Sequence, residues 1–234
     1  MRNTANNPAA TAAEAEYLSG FVVPERLERM LDVLSRRTRY MTVCAENTFH
    51  PQNASALVRT CEAFGVQDIH TVENLCRFDP SLRIVRGTDK WITFRRHPSS
   101  AEALSFLKAA GYRIAAATPH AGGTPPEEFD VEAGPFAVVF GTELDGISDA
   151  VGTAADSFME IPMCGFVESL NVSASAAIIV HALASRLRRS GAPWSLSPEE
   201  RTALLHEWLR GAVKDSARIL ERFRTSRPQL YRQL

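Results

Sequence analysis

From Tyr40 to Arg189 the chain alternates short β-branched and aromatic runs with stripes of helical period, and this alternation constrains the fold more than any other feature. Met41-Thr-Val-Cys-Ala45 reads as a strand, Asn53 to Phe64 as a helix and Asp68-Ile-His-Thr-Val72 as the next strand, which together make a βαβ unit. Trp91-Ile-Thr-Phe94 reads as a strand, Ser99 to Ala110 as a helix closed by Gly111, and Tyr112 to Ala117 and Phe136-Ala-Val-Val-Phe140 as two more strands. Phe158-Met-Glu-Ile161 and a long helix from Leu170 to Arg189 end the series. Strands joined through helices lie parallel, so the reading is an α/β fold with a mainly parallel sheet flanked by helices on both faces.

The flanks read differently. Residues 1–20 are Ala/Asn/Thr-rich and read as a flexible tail, while 21–39 read as a helical extension with Leu27, Met30, Leu31 and Leu34 on one face. Residues 40–190 form the core domain. Residues 191–234 read as a basic helical extension in which Ser197 caps and Pro198 opens one amphipathic helix to about Phe223. The formal charge of the whole is −1, but residues 40–185 carry 9 basic and 17 acidic side chains, and 186–234 carry 11 and 5. Basic ends around an acidic middle suit terminal elements that grip a polyanion, and equally suit Arg displayed on solvated helix faces.

With 45% apolar and 23% charged residues, the chain falls outside the disordered, collagen-like and disulfide-scaffold classes. The uncharged stretch Ser169–Ser185 holds Asn171, His181 and several serines, too many polar groups for lipid, and reads as a buried helix with no membrane partner. The start of the chain has no apolar signal core, so the expected location is cytoplasmic. Cys44, Cys61, Cys76 and Cys164 form no C-x-x-C pair, and no metal is expected. There is no G-x-G-x-x-G, no P-loop although Gly141 and Gly146 bracket a loop of similar length, no G-x-S-x-G and no H-E-x-x-H.

Ligands of open α/β sheets lie beyond the carboxyl ends of the strands, which directs attention to three segments. In His50-Pro-Gln-Asn53-Ala-Ser-Ala-Leu-Val-Arg59-Thr60, the helical stripe Ala54, Leu57, Val58, Cys61 and Phe64 faces the core, so Arg59 faces solvent or a ligand. In Phe140-Gly141-Thr-Glu143-Leu-Asp-Gly146-Ile147, a carboxylate stands between two glycines directly after a buried strand and can hold an Arg or a hydroxyl, or simply occupy an exposed turn. In Glu160-Ile161-Pro-Met163-Cys-Gly165-Phe-Val-Glu-Ser169-Leu170-Asn171-Val-Ser173-Ala-Ser175, Pro162 stops a strand, Gly165 permits a bend, and Ser169 or Asn171 caps a helix whose free N–H groups suit an anion.

In that order, N-x-x-x-x-x-R-T, F-G-T-E-x-x-G-I and I-P-M-x-G-x-x-x-S-L-N-V-S resemble the three motifs of the SpoU class of SPOUT methyltransferases, RNA ribose 2′-O-methyltransferases that use S-adenosylmethionine, over roughly residues 41–189. Within the class, Val43-Cys44-Ala45-Glu46, Gly87-Thr-Asp-Lys-Trp91 and the basic flanking helices look like the members that methylate guanosine in the tRNA D-loop, at position 18. The resemblance implies the SPOUT fold with a C-terminal trefoil knot around Phe158–Ser185, a homodimer, and a cofactor bent in the knot. Backbone groups near Thr118, Gly141, Ile161, Met163 and Leu170 would then bind the cofactor, with Ile161 and Leu170 around the purine. It assigns activation of the hydroxyl to Arg59, orientation to Asn53 and Asn171, the active-site loop to Glu143, and hydrogen bonds or a cap to Ser169 or Ser173. An Arg stays protonated in proteins, so the expected role of Arg59 is to clamp a phosphate and the hydroxyl rather than to act as a free base. tRNA phosphates would be met by Arg36, Arg37 and Arg39 before the core, by Arg86 and Lys90 beside the site, and by Arg186, Arg188 and Arg189 after it. Methylation of ribosomal RNA and a non-catalytic RNA-binding protein on the same fold are the alternatives; a nucleotide-dependent oxidoreductase is disfavoured by the absent glycine fingerprint.

Overall fold

The structure, a computed structural model, describes residues 7–48, 50–119, 122–142 and 145–231. Before the sheet come α1 (Pro8–Ser19) and α2 (Pro24–Leu34). The strands are β1 (Met41–Glu46), β2 (Asp68–Val72), β3 (Thr93–His97), β4 (Arg113–Ala117), β5 (Phe136–Phe140) and β6 (Ser157–Met159). Among them lie α3 (Pro51–Ala63), α4 (Leu82–Val85), α5 (Ser100–Ala109) and α6 (Asp149–Ala154), and after them come α7 (Val172–Arg189), α8 (Pro198–Ala212) and α9 (Ser216–Ser226). Chain contacts separate two compact units, one from Thr38 to Trp194 and one made of the segments up to Arg37 and from Ser195.

In the sheet unit all strands run parallel in the order β3-β2-β1-β5-β4-β6. The central strands β1 and β5 are buried along their whole length because both faces are covered. Met41, Val43 and Ala45 of β1 pack with Val138 and Phe140 of β5 against Ala54, Leu57 and Val58 of α3 and Ile179, Val180 and Leu183 of α7. The alternate residues Cys44, Ala137 and Val139 pack instead with Ala103, Leu104 and Leu107 of α5 and with Val151 of α6. The chain leaving β4 passes to the outer side of β6: Thr118 N–H donates to the Met159 carbonyl at 3.0 Å, and Thr124, bridged to Met159, donates to Phe158 at 2.9 Å. Gly123 is required there, since a Cβ would sit 2.7 Å from the Phe158 carbonyl carbon.

In the terminal unit α1 and α8 pack together, and Glu14 of α1 is wholly buried. The stretch read as a flexible tail is therefore helical from Pro8 to Ser19, with Asn7 accepting from the Ala10 amide as its cap and Pro8 at the first turn. Two further corrections concern element ends. The third strand starts two residues later than its apolar residues suggest and takes in Arg95 and Arg96, exposed on an edge strand. The single helix expected to run to Phe223 is two, broken where Asp215 adopts a left-handed φ of 57°. The capping reading holds: Ser197 accepts from the Glu200 amide, and Glu200 accepts from the Ser197 amide in return.

Candidate active site

A cavity of about 610 Å³ opens at the carboxyl ends of β4, β5 and β6, the place a parallel sheet reserves for ligands. Thr118, Gly141, Ile161, Met163, Ser169, Leu170 and Asn171 all line it. Strand β5 ends at Phe140, and the chain turns back so tightly that a Cβ on Gly141 would lie 2.1 Å from the Gly146 backbone. The Thr142 amide closes the turn on the Gly146 carbonyl at 2.8 Å, and the Asp145 amide donates to the Thr142 hydroxyl at 2.9 Å. Glu143 lies outside the described residues.

Asn171 is the N-cap of α7. Its Oδ1 accepts from the Ser173 amide at 2.8 Å and hydroxyl at 2.6 Å, and its Nδ2 donates to Asn53 Oδ1 at 3.2 Å. Asn53, buried in the first turn of α3, is off the cavity wall but is coupled to it through that bond. Arg59 is also off the wall. It is exposed on α3, and its Nη1 donates to the Ile84 carbonyl of α4 at 3.3 Å.

The wall suits a nucleoside-bearing cation. Ile161, Met163, Leu170 and Ile179 offer apolar surface for a purine, strand ends offer backbone groups, and the carboxylates of Asp145 and Glu168 suit a positive centre. Residues 40–181 match the family model described as the SpoU rRNA Methylase family. The chain belongs to that family. A Borreliella burgdorferi protein named tRNA (guanosine(18)-2′-O)-methyltransferase is 35% identical to it over 198 residues, 85% of this chain and 90% of that one. The crystal structure of the A. aeolicus TrmH/SpoU tRNA modifying enzyme superposes with a TM-score of 0.71 at 31% identity, covering 82% of this chain and 98% of the other. The SpoU methyltransferase AviRb from Streptomyces viridochromogenes, solved in complex with AdoMet, superposes with a TM-score of 0.58 at 28% identity, covering 69% and 62%. S-adenosylmethionine is accordingly the cofactor of this SpoU methylase, and the cavity wall fits it.

The basic residues expected to meet RNA separate into two groups. Arg36, Arg86, Lys90 and Arg189 are exposed; Arg36, just past the end of α2, also pairs with Asp32 in its last turn, and Arg188, exposed too, donates to the Phe64 carbonyl at 2.5 Å. Arg37 departs from the expected phosphate-facing placement: it is 1% exposed, with its guanidinium 5.4 Å from the Trp208 ring centre, packed inside the terminal unit. Arg186 is held by the Pro126 and Phe129 carbonyls, and Arg39 pairs with buried Asp68 at 3.2 Å. Glu46 lies in the family-like run Val43–Glu46, yet the motifs assign it no role. The structure makes it a buried carboxylate at the end of β1, and a lone acid closing an apolar strand, seven residues before Asn53, was the available signal.

Proposed function

We propose that this chain transfers a methyl group from S-adenosylmethionine to the ribose 2′-hydroxyl of guanosine 18 in the D-loop of tRNA. The observation that carries the reading is the cavity at the strand ends with Asn171 on its wall tied to Asn53 of α3, the helix that also bears Arg59. The Borreliella burgdorferi relative, matched over most of both chains, is named for methylation of tRNA, which favours tRNA over ribosomal RNA.

When bound, the cofactor supplies an electrophilic sulfonium methyl. Everything else falls to the chain. Thr118, Gly141, Ile161, Met163 and Leu170 hold adenine and ribose through main-chain groups and apolar contact, which removes the need for a glycine-rich phosphate loop. Asn53 and Asn171 fix each other and orient the start of α3 at the mouth. Arg59 stands six residues further along α3, roughly 9 Å in helical rise. Its neutral partner, the Ile84 carbonyl, is weaker than a phosphate oxygen, so an incoming nucleotide draws the guanidinium away. There it clamps phosphate and hydroxyl and stabilises the developing alkoxide, while a phosphate oxygen or a water accepts the proton. Glu143 is assigned to the active-site loop and Ser169 to a hydrogen bond at the wall.

The same proposal includes the trefoil knot, supported by β6 lying between β4 and the segment that leaves β4. It includes a homodimer, supported by the exposed apolar Phe166, Val167 and Ile178 around the start of α7. It places the enzyme in the cytoplasm with its substrate; among the described residues no helix is long and apolar enough to cross a membrane. The test is mass-spectrometric mapping of tRNA and ribosomal RNA fragments after incubation with labelled cofactor. A single labelled 2′-O-methylguanosine at position 18 of tRNA is expected, and label confined to the ribosomal fragments overturns the tRNA reading.

A further inference from the structure

Glu46 ends β1 at the level where the ligand cavity opens, and the alternation of the strand sends its side chain, like that of Cys44, to the α5/α6 face of the sheet. It is 2% exposed. Its Oε2 accepts from the Ser148 amide at 3.0 Å, and its Oε1 accepts from the Ser148 hydroxyl at 2.7 Å and from the Ser100 hydroxyl in the first turn of α5. Ser148 directly follows Ile147 of the cavity wall and caps α6. One carboxylate thus holds the exit of the Gly141–Ile147 turn to the core.

The turn has three fixed points. Its entrance is fixed by the pairing of β5 with β1, and its middle by the contact of Thr142 with Gly146. Its exit is fixed by Glu46. A backbone-lined site binds tightly when its donors and acceptors are already in place, because no ordering cost is then drawn from the binding energy. A charged acceptor spanning two hydroxyls and an amide is stronger than neutral bonds would be, which accounts for an ionisable residue buried at the end of an apolar strand.

We propose that Glu46 is a positioning residue for cofactor binding, setting the Gly141, Gly146 and Ile147 backbone for the cofactor from the opposite face of the sheet. The inference rests on the cofactor site proposed above, and calorimetric titration of the full chain with S-adenosylmethionine, together with filter binding of tRNA, tests the two separately. Glu46→Ala leaves the Ser148 amide and hydroxyl without their acceptor, so the cofactor Kd rises by about tenfold or more while tRNA affinity stays within about twofold. Glu46→Gln keeps the length and a carbonyl for the Ser148 amide but loses the charge and one acceptor, so it recovers part of the affinity. Glu46→Asp keeps the charge but is one carbon shorter, and stays weak although its melting temperature matches that of Glu46→Gln. That order, with Gln better than Asp at equal stability, is one that a merely structural role does not produce. Should Glu46→Ala fail to fold, the Gln and Asp pair carries the test alone. Equal cofactor affinity in the wild type and in all folded variants overturns the inference; a wild type that binds no cofactor overturns the site itself.

Discussion

Glu46 of the sheet unit and Glu14 of the terminal helical unit are buried to the same degree, 2% and 0% exposed, yet their partners differ in kind. Glu46 accepts from hydroxyls and an amide at the edge of a ligand cavity. Glu14 accepts from Arg224 at 2.7 and 3.1 Å and from the Tyr231 hydroxyl at 2.8 Å, and it meets His206 at 2.9 Å. Its partners come from α8, α9 and the turn at Pro228–Tyr231, segments about two hundred residues away in sequence. A buried acid on neutral donors shapes a loop; a buried acid on cationic and phenolic donors from distant segments closes a unit. The division of labour is that chemistry sits at the strand ends, while in the terminal unit one carboxylate joins segments that the sequence keeps far apart.

The largest expected effect tests the chemical half. Arg59→Ala lowers turnover by about 10² to 10³ and leaves cofactor affinity and melting temperature nearly unchanged, because Arg59 is exposed and off the cavity wall. Single-turnover methylation set beside cofactor titration measures both quantities, and parallel loss of turnover and affinity would place Arg59 in the cofactor pocket instead.

Acid tests the other half. Burial alone pushes the Glu14 carboxyl up, but the bonds from His206, Arg224 and Tyr231 outweigh it and bring the pKa from 4.5 down to about 2. A depressed carboxylate contributes stability in full above its unfolded value and loses it as pH falls toward the folded value. The terminal unit therefore loses about 3 kcal/mol between roughly pH 5 and pH 2. Hydrogen exchange in α1, α8 and α9 should accelerate over that window ahead of exchange in β1 and β5, and Glu14→Gln should flatten the pH dependence. An acid response in Glu14→Gln as steep as in the wild type would mean that other carboxylates hold the termini.

The third effect returns to the strand ends. Gly141→Ala places a Cβ 2.1 Å from the Gly146 backbone, so the turn must open, at about 1–3 kcal/mol for the overpacking. The expected result is a cofactor Kd raised about fivefold to a hundredfold, with tRNA affinity retained. Loss of tRNA binding with the cofactor affinity intact would assign the turn to RNA.

Much of this contrast was legible in the sequence. The central strands β1 and β5 are buried along their whole length because they are covered on both faces, so their ends were readable to within a residue, and the three motifs fall at strand carboxyl ends. What local pattern could not show was anything held by distant residues. Pro8–Ser19 reads as a polar Ala-rich tail because its one informative residue, Glu14, needs Arg224 and Tyr231 to make sense of a buried charge. Arg95 and Arg96 hid the end of β3 because an edge strand can carry charge outward. The break after Ala212 has only Gly211 in the last turn to announce it, and the left-handed residue is Asp215 rather than a glycine. Arg37 and Arg36 are neighbours with identical chemistry, and nothing local tells that Arg37 is the one buried near the distant Trp208 ring.

That last pair gives the smallest effect and the finest test. Exposed Arg36, Arg86 and Arg189 are open to phosphates, whereas Arg37 is buried. Each phosphate contact adds about 0.7 to 0.9 to the log–log slope of RNA affinity against salt, so replacing the three exposed arginines with Ala should flatten the slope by about 2 to 3. Arg37→Ala should leave the slope where it is and lower the melting temperature instead, since it removes a buried cation and its packing on Trp208. Filter binding over a salt series measures the first and thermal unfolding the second. A slope change from Arg37→Ala would show that Trp208 releases it when RNA binds, and the terminal unit would then be a surface that rearranges around its ligand rather than one that presents preset charges.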